Sequence, residues 1–143
     1  MINKLLIYIL TILILGACSQ REVEEKSSNT INLTLEDVKT VITEQGFELQ
    51  KEDLSSENFF IQELNDITPE VYILENNTLS VYVFPSSNDR EKGVQVFEET
   101  TAAAELVEHK AYELSNILVF YVSDDEKIQN RLLDALQNLD IPE

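Results

Sequence analysis

The chain has one cysteine, Cys18, among its 143 residues. A thiol can pair in a disulfide, ligate a metal or accept a covalent modification, but a lone cysteine forms no disulfide within its own chain. Cys18 directly follows residues 1–17, which carry one basic residue near the start and an apolar run from Leu5 to Leu15. A basic start, an apolar segment and small residues before a cleavage point are typical of a secretory signal. The pattern therefore predicts export.

Leu15, Gly16, Ala17 and Cys18 resemble the bacterial lipobox, in which an aliphatic residue and two small residues precede cysteine. The resemblance implies a diacylglyceryl group on the Cys18 sulfur and removal of residues 1–17 as a lipoprotein signal peptide. Two acyl chains hold a protein stably on a membrane, whereas one chain is marginal. The expected location is the extracytoplasmic face of the cell membrane, with the membrane contacted through the Cys18 anchor.

Two alternatives remain for this N-terminal segment, an ordinary secretion signal and a short uncleaved membrane anchor. The run from Leu5 to Leu15 covers about half of a ~30 Å hydrocarbon core when it is helical, at ~1.5 Å per residue. That length favours a cleaved signal over a permanent transmembrane helix.

The remaining residues contain no recognisable catalytic signature. His109 is the only histidine, so one chain cannot assemble the two or three histidines of a typical catalytic zinc site. It stands between Glu108 and Lys110 after a predicted helix, which favours a surface role. No G-x-S-x-G segment presents a nucleophilic serine, and the three glycines are not clustered as a phosphate-binding loop requires. We predict neither catalytic residues nor a cofactor.

Two acidic clusters, Asp124-Asp125-Glu126 and Glu98-Glu99, are the other candidates for chemistry. Neither has the alternating spacing that directs several oxygens at one calcium ion. Helix capping explains the first cluster, and a solvated helix face explains the second. We therefore predict no metal site, while a small hydrolase with a carboxylate site and a cation-binding surface module stay as alternatives.

The charge balance excludes one class of partner. The chain has 27 acidic and 10 basic residues and a formal net charge of −17, and every acidic residue follows residue 17. A surface of this sign is repelled by nucleic acids and by anionic lipid headgroups. We therefore exclude nucleic-acid binding, and contact with the membrane must come from the acyl chains.

Residues 18–33 are polar and acidic without periodicity, which predicts a flexible lipidated tether. A single globular domain is expected over residues 34–143. Hydrophobic periodicity and capping signals predict three helices in it, from Thr34 to Gly46, from Asn88 to about Glu108, and from Ser123 to Leu139.

Alternating and continuous apolar runs predict about four strands, which include a hairpin over residues 70–84. Asn76 and Asn77 tolerate the positive φ of its tight turn. Residues 117–122 are all apolar, which indicates a central strand covered on both faces. Residues 58–61 fit either a short strand or an apolar loop. The prediction is an α+β fold in which about three helices cover a small mixed or antiparallel sheet.

The hairpin–helix–strand–helix part, with Tyr82-Val83-Phe84 and residues 116–121, resembles small lipoproteins of low-GC Gram-positive bacteria. The resemblance implies a host type and no particular activity. We expect a non-enzymatic binding or accessory module at the cell envelope, with a protein or peptide as its partner. Tyr72 and Tyr82 would supply a recognition surface if one face of the sheet were incompletely covered.

Overall fold

The computed structural model describes residues 32–54 and 57–139. The predicted cleavage motif and lipidation residue, Leu15, Gly16, Ala17 and Cys18, lie outside the described residues. Within the two described ranges, no helix has both the length and the apolar character that crossing a bilayer requires.

The described residues form an α+β domain, as predicted, with one strand more than expected. The helices are α1 (Leu35–Glu44), α2 (Ser87–Thr101) and α3 (Glu126–Gln137). The strands are β1 (Gln50–Lys51), β2 (Glu70–Leu74), β3 (Asn77–Val83), β4 (Lys110–Leu114) and β5 (Ile117–Tyr121). They form one sheet in the order β1-β2-β3-β5-β4, in which every neighbouring pair is antiparallel.

Strands β3 and β5 occupy the centre of the sheet, and their side chains alternate between two cores. The first core lies between the sheet and helices α1 and α3, and it contains Leu79 and Val119. The second core lies on the opposite face under α2, and it contains Tyr82 and Phe120. All five residues of β5 are buried, which confirms the prediction of a central strand with both faces covered.

The predicted hairpin is confirmed, with a tighter turn than expected. Leu74 pairs with Asn77, so the turn consists of Glu75 and Asn76 alone. Both residues have positive φ values, 50° and 65°, as the primed turns of two-residue hairpins require. Strand β3 consequently begins at Asn77, inside the segment expected to form the turn.

The first helix begins as its sequence predicts. Thr34 and Asp37 form a reciprocal capping box, in which the Asp37 amide donates to the Thr34 hydroxyl at 3.2 Å. The Asp37 carboxylate accepts from the Thr34 amide at 2.8 Å and from its hydroxyl at 2.7 Å. These bonds lower the pKa of Asp37 because they stabilise its ionised form. Gly46 follows the helix with φ of 84°, a conformation that favours glycine.

The start of the last helix differs from the prediction. The N-cap is Asp125 and not Ser123, because the Asp125 carboxylate accepts from the amides of Lys127 and Ile128 at 3.0 and 3.1 Å. Ser123 lies two residues before that position, and its hydroxyl instead accepts from the Asp125 amide at 3.2 Å. The helix predicted there is confirmed, and its apolar residues Leu132, Ala135 and Leu136 are buried.

The middle of the chain contains the main differences from expectation. Helix α2 ends at Thr101 instead of near Glu108, and residues 110–114 form a fifth strand that was not predicted. Strand β4 is mostly exposed, so its sequence lacks the apolar run that identifies β5. Residues 59–61 form a short 3₁₀ turn that buries Phe60 against the second core, which corresponds to the apolar-loop alternative.

Gly93 allows α2 to pack closely against the sheet. A Cβ atom at this position would lie 2.5 Å from Cζ of Phe84, a ring that is itself 2% exposed. The Gly93→Ala variant should therefore lose about 1–3 kcal/mol of unfolding free energy, although alanine is the better helix former. Denaturant unfolding monitored by circular dichroism measures the loss.

Asn88→Ala is the matched control, since Asn88 is exposed in the same helix and its replacement should change stability by about 0.5 kcal/mol or less. In a Phe84→Leu background the cost of Gly93→Ala should fall, because the clash partner has been removed. An equal cost in both backgrounds would contradict the packing argument.

Candidate functional site

The two tyrosines predicted as a recognition surface are core residues. Tyr72 is 5% exposed and packs in the first core, whereas Tyr82 is fully buried and packs in the second core on the opposite face. The Tyr82 hydroxyl donates to the backbone oxygens of Gln62 at 2.7 Å and of Phe60 at 3.2 Å. These residues therefore form no common exposed patch, because α1, α2 and the 3₁₀ turn cover both faces of the sheet.

His109 was expected on the surface, and the structure places its ring partly in the second core. The ring centroid lies 4.6 Å from that of Phe60, 6.2 Å from that of Phe120 and 6.3 Å from that of Phe97. Its Nδ1 lies 2.9 Å from the backbone oxygen of Val107. The His109 ring therefore packs at the side of the second core, against these three phenylalanine rings.

In each acidic cluster, one carboxylate makes hydrogen bonds within a helix. Asp125 caps α3, and the Glu99 carboxylate accepts from the side-chain amide of Gln95 at 2.8 Å along the exposed face of α2. Over the part of the chain that the structure describes, no group of three or more His, Cys, Asp or Glu side chains is positioned to hold a metal ion.

The second core opens to solvent in a cleft of about 360 Å³ between helix α2 and strand β4. We call it the α2–β4 cleft. Its apolar lining comes from α2 (Val94 and Phe97), from β5 (Leu118 and Phe120) and from Leu106 in the connection between α2 and β4. Its polar and small lining residues are Glu98, Thr101, His109, Ala111 and Glu113. A concave site of this size, apolar with a few polar groups, is typical of ligand and peptide sites.

The cleft lies between α2 and β4 because α2 packs over the neighbouring strand β5, where the ring centroids of Phe97 and Phe120 are 4.5 Å apart. After Thr101 the chain runs through residues 102–109 and returns as β4, the outermost strand of the sheet. Val107 in this connection is 62% exposed, and together with Leu106 it lines a neighbouring depression beside Phe59 and Phe60. The cleft was not predicted, because β4 was not predicted and the end of α2 was placed near Glu108 instead of at Thr101.

The charged groups that line the cleft are acidic. Glu98 projects from α2 and Glu113 from β4, and both are exposed. Glu105 and Glu108 are exposed in the connection between these elements. Lys110 alternates with Ala111 along β4 and so directs its side chain to the opposite face of the sheet. The cleft therefore presents a negative potential around an apolar floor.

Arg90 of α2 forms ion pairs with Glu113, which lines the cleft, and with Glu91. Its guanidinium lies 3.8 Å from the Glu113 carboxylate and 3.7 Å from that of Glu91, and its side chain is 13% exposed. The Nε atom is buried without a hydrogen-bond partner in the described part of the chain. Because the Glu113 side chain is 45% exposed, Arg90 neutralises its negative charge only in part. The Glu113 carboxylate therefore stays accessible at the rim of the cleft.

Asn116 fixes the point where the N-terminal segment enters the domain. Its side-chain oxygen accepts from the Leu33 amide at 2.8 Å, and its nitrogen donates to the Leu33 and Phe84 oxygens at 3.0 and 2.9 Å. Asn116 is 2% exposed and Leu33 is 6% exposed. The local signal for this role is a polar residue directly before the apolar run that begins at Ile117, and no prediction was attached to it.

No protein-family model, no curated protein and no solved structure matches the chain. The role of the α2–β4 cleft is therefore argued from its geometry and charge.

Replacement of Asn116 by alanine leaves three buried backbone groups without their partner. Each such group costs about 1–3 kcal/mol, and we expect Asn116→Ala to lower the unfolding free energy by at least about 2 kcal/mol. Thermal and denaturant unfolding measure this change.

The matched control is Asn138→Ala, which removes an exposed hydrogen bond of 3.1 Å to the Asp134 backbone oxygen. This variant should lose about 0.5 kcal/mol or less. Equal losses from the two asparagine variants would show that Asn116 does not hold Leu33 as described.

Proposed function

We propose that this chain is a lipid-anchored extracytoplasmic domain that acts as a non-enzymatic binding or accessory module at the bacterial cell envelope. The α2–β4 cleft is its binding surface. The proposal joins two independent supports, the residues that precede and include Cys18 and the geometry of the cleft.

The observation that carries the binding role is an apolar cleft beside an exposed edge strand. Edge strands offer unpaired backbone groups to another chain, and an adjoining pocket selects a side chain of that partner. Strand β4 is the terminal strand of the sheet, and Ala111 and Glu113 on it are exposed. The partner class that fits this arrangement is a protein or peptide.

The ionisable groups with altered pKa values support a non-enzymatic role, since each has a structural cause. Burial raises the pKa of Tyr82 and Tyr112, which keeps both phenols neutral and hydrogen-bonded to backbone oxygens. Hydrogen bonds within helix caps lower the pKa of Asp37 and Asp89. The hydrogen bonds that accompany these shifts stabilise helix ends and cores.

The proposed anchor is compatible with access to the cleft. Residues 18–32 would span at most ~50 Å when fully extended, at ~3.3–3.6 Å per residue. Asn116 holds Leu33 at the β4–β5 turn, so the tether enters at one end of the sheet. His109 and Leu106 lie near the opposite end of β4. The opening of the cleft is thus not forced against the membrane.

The binding role is tested by filling the cleft in the full chain on cells. Ala111→Trp places a large side chain at an exposed position of the cleft wall, and Thr40→Trp is the matched control on the exposed face of α1. Envelope proteins cross-linked to the wild type and to the Thr40 variant should be lost from the Ala111 variant. Identical cross-linked proteins in all three would contradict binding at the cleft.

The anchor is tested by Cys18→Ser in the same cells. The wild type should incorporate labelled fatty acid and fractionate with membranes, whereas the serine variant should do neither and should keep residues 1–17. A serine variant that matures to the same mass as the wild type would exclude lipid attachment at Cys18.

A further inference from the structure

We propose that the occupant of the α2–β4 cleft is an extended basic peptide segment that pairs with β4 as an additional strand. One apolar side chain of the segment enters the cleft, and its flanking lysine or arginine side chains face the acidic rim. This inference rests on the proposed binding function and specifies the partner's chemistry.

The backbone register shows which groups of β4 face outward. In antiparallel pairing, alternate residues bond to one neighbour and the residues between them bond to the other. The Phe84 amide donates to the Asn116 oxygen at 2.9 Å, and the Val122 amide donates to the Thr78 oxygen at 2.9 Å. The even-numbered residues of β5 therefore bond to β3, and its odd-numbered residues bond to β4.

The partners of those odd-numbered residues follow from the register. Leu114, Tyr112 and Lys110 pair with Ile117, Val119 and Tyr121, so their amides and oxygens face β5. Ala111 and Glu113 consequently direct their N–H and C=O groups away from the sheet. Two outward residues present four backbone groups, which matches the pairing that one added strand supplies.

The same two residues line the cleft with their side chains. Ala111 and Glu113 lie on the α2 side of β4, beside Phe97 and Phe120. A strand paired with β4 would therefore direct every second side chain towards α2. Because Ala111 is small, the central one of these side chains can reach the apolar floor from the edge of the sheet.

Charge complementarity selects a basic occupant. The carboxylates that line the cleft are Glu98 and Glu113, and Glu105 and Glu108 are exposed in the connection between α2 and β4. A second copy of this chain would bring the same acidic groups, at a net charge of −17 per chain, against them. The chain's own segment of residues 19–31 is not basic, because Glu22, Glu24 and Glu25 outnumber Arg21 and Lys26. A basic segment is attracted where a second copy is repelled and where this segment gains nothing from its charge.

The experiment uses the full chain in nonionic detergent and a defined fluorescent probe, the peptide Lys-Thr-Lys-Thr-Phe-Thr-Lys-Thr-Lys. Residues two apart share a face of a strand, so phenylalanine and the lysines face α2 together. Fluorescence anisotropy should show saturable binding at low salt. Replacement of lysine by glutamate or of phenylalanine by alanine should weaken it at least about tenfold.

Strand pairing is tested with two N-methylated forms of the probe. One carries N-methyl groups on the threonines, and the other carries them on phenylalanine and its two neighbouring lysines. Only one set of amides faces β4, so one form should bind at least about tenfold more tightly than the other. Equal affinities of the two forms would overturn strand addition.

Glu98→Lys and Glu44→Lys form the matched pair of protein variants. Both residues are exposed, on α2 beside the cleft and on α1 respectively, and both variants change the net charge equally. Glu98→Lys should weaken the affinity for the probe about tenfold at low salt, and this loss should shrink at about 0.5 M salt. Glu44→Lys should change the affinity little. Equal weakening by both would overturn recognition by the acidic rim.

The outcomes separate this inference from the proposed function. If Ala111→Trp abolishes partner capture on cells but the probe does not bind, the cleft binds a partner of different chemistry and the basic-segment inference fails alone. Light scattering tests whether a second copy of the chain occupies the cleft. A concentration-dependent dimer that Ala111→Trp abolishes would identify that second copy as the occupant and overturn the basic-segment inference.

Discussion

The pairing of β3 with β5 is the contact on which the rest of this domain depends. Five residue pairs join the two strands, from Leu79 with Tyr121 to Val83 with Ile117. Their alternating side chains supply the centres of both cores, and burial of that apolar surface, at about 25 cal/mol per Å², stabilises the helices on either side. Helices α1 and α3 bury their apolar faces on one side of these strands, and α2 buries its apolar face on the other side. None of the three helices has another surface for this burial.

A sheet with two covered faces still has two edges, and the domain treats them differently. At one edge β1 consists of Gln50 and Lys51 only, a short polar strand that discourages pairing. At the other edge β4 is a five-residue strand beside an apolar cleft. Charged residues there, Glu113 among them, oppose self-association while they leave the backbone accessible to a basic partner.

The sequence predicts those parts of the structure that depend on local periodicity and caps. The capping box of Thr34 and Asp37, the Asn76 turn and the fully buried β5 each carry their own signal within a few residues. Strand β4 carries a weaker signal, because only Tyr112 and Leu114 alternate as buried apolar residues in it, and the exposed residues between them are tolerated at the edge of the sheet. The cleft and the Asn116 clamp combine residues distant in sequence, such as Leu33 and Asn116, so local patterns could not reveal them.

The central claim is that β4 presents an open backbone edge beside the cleft, and amide hydrogen exchange followed by NMR on the full chain tests it most directly. In the free protein the amides of Tyr112 and Leu114 should be protected by their pairing with β5, while those of Ala111 and Glu113 should exchange rapidly. Saturation with the basic probe should slow the exchange of Ala111 and Glu113. Equal protection of all four amides in the free protein would contradict the account, because the outer edge would then already be paired.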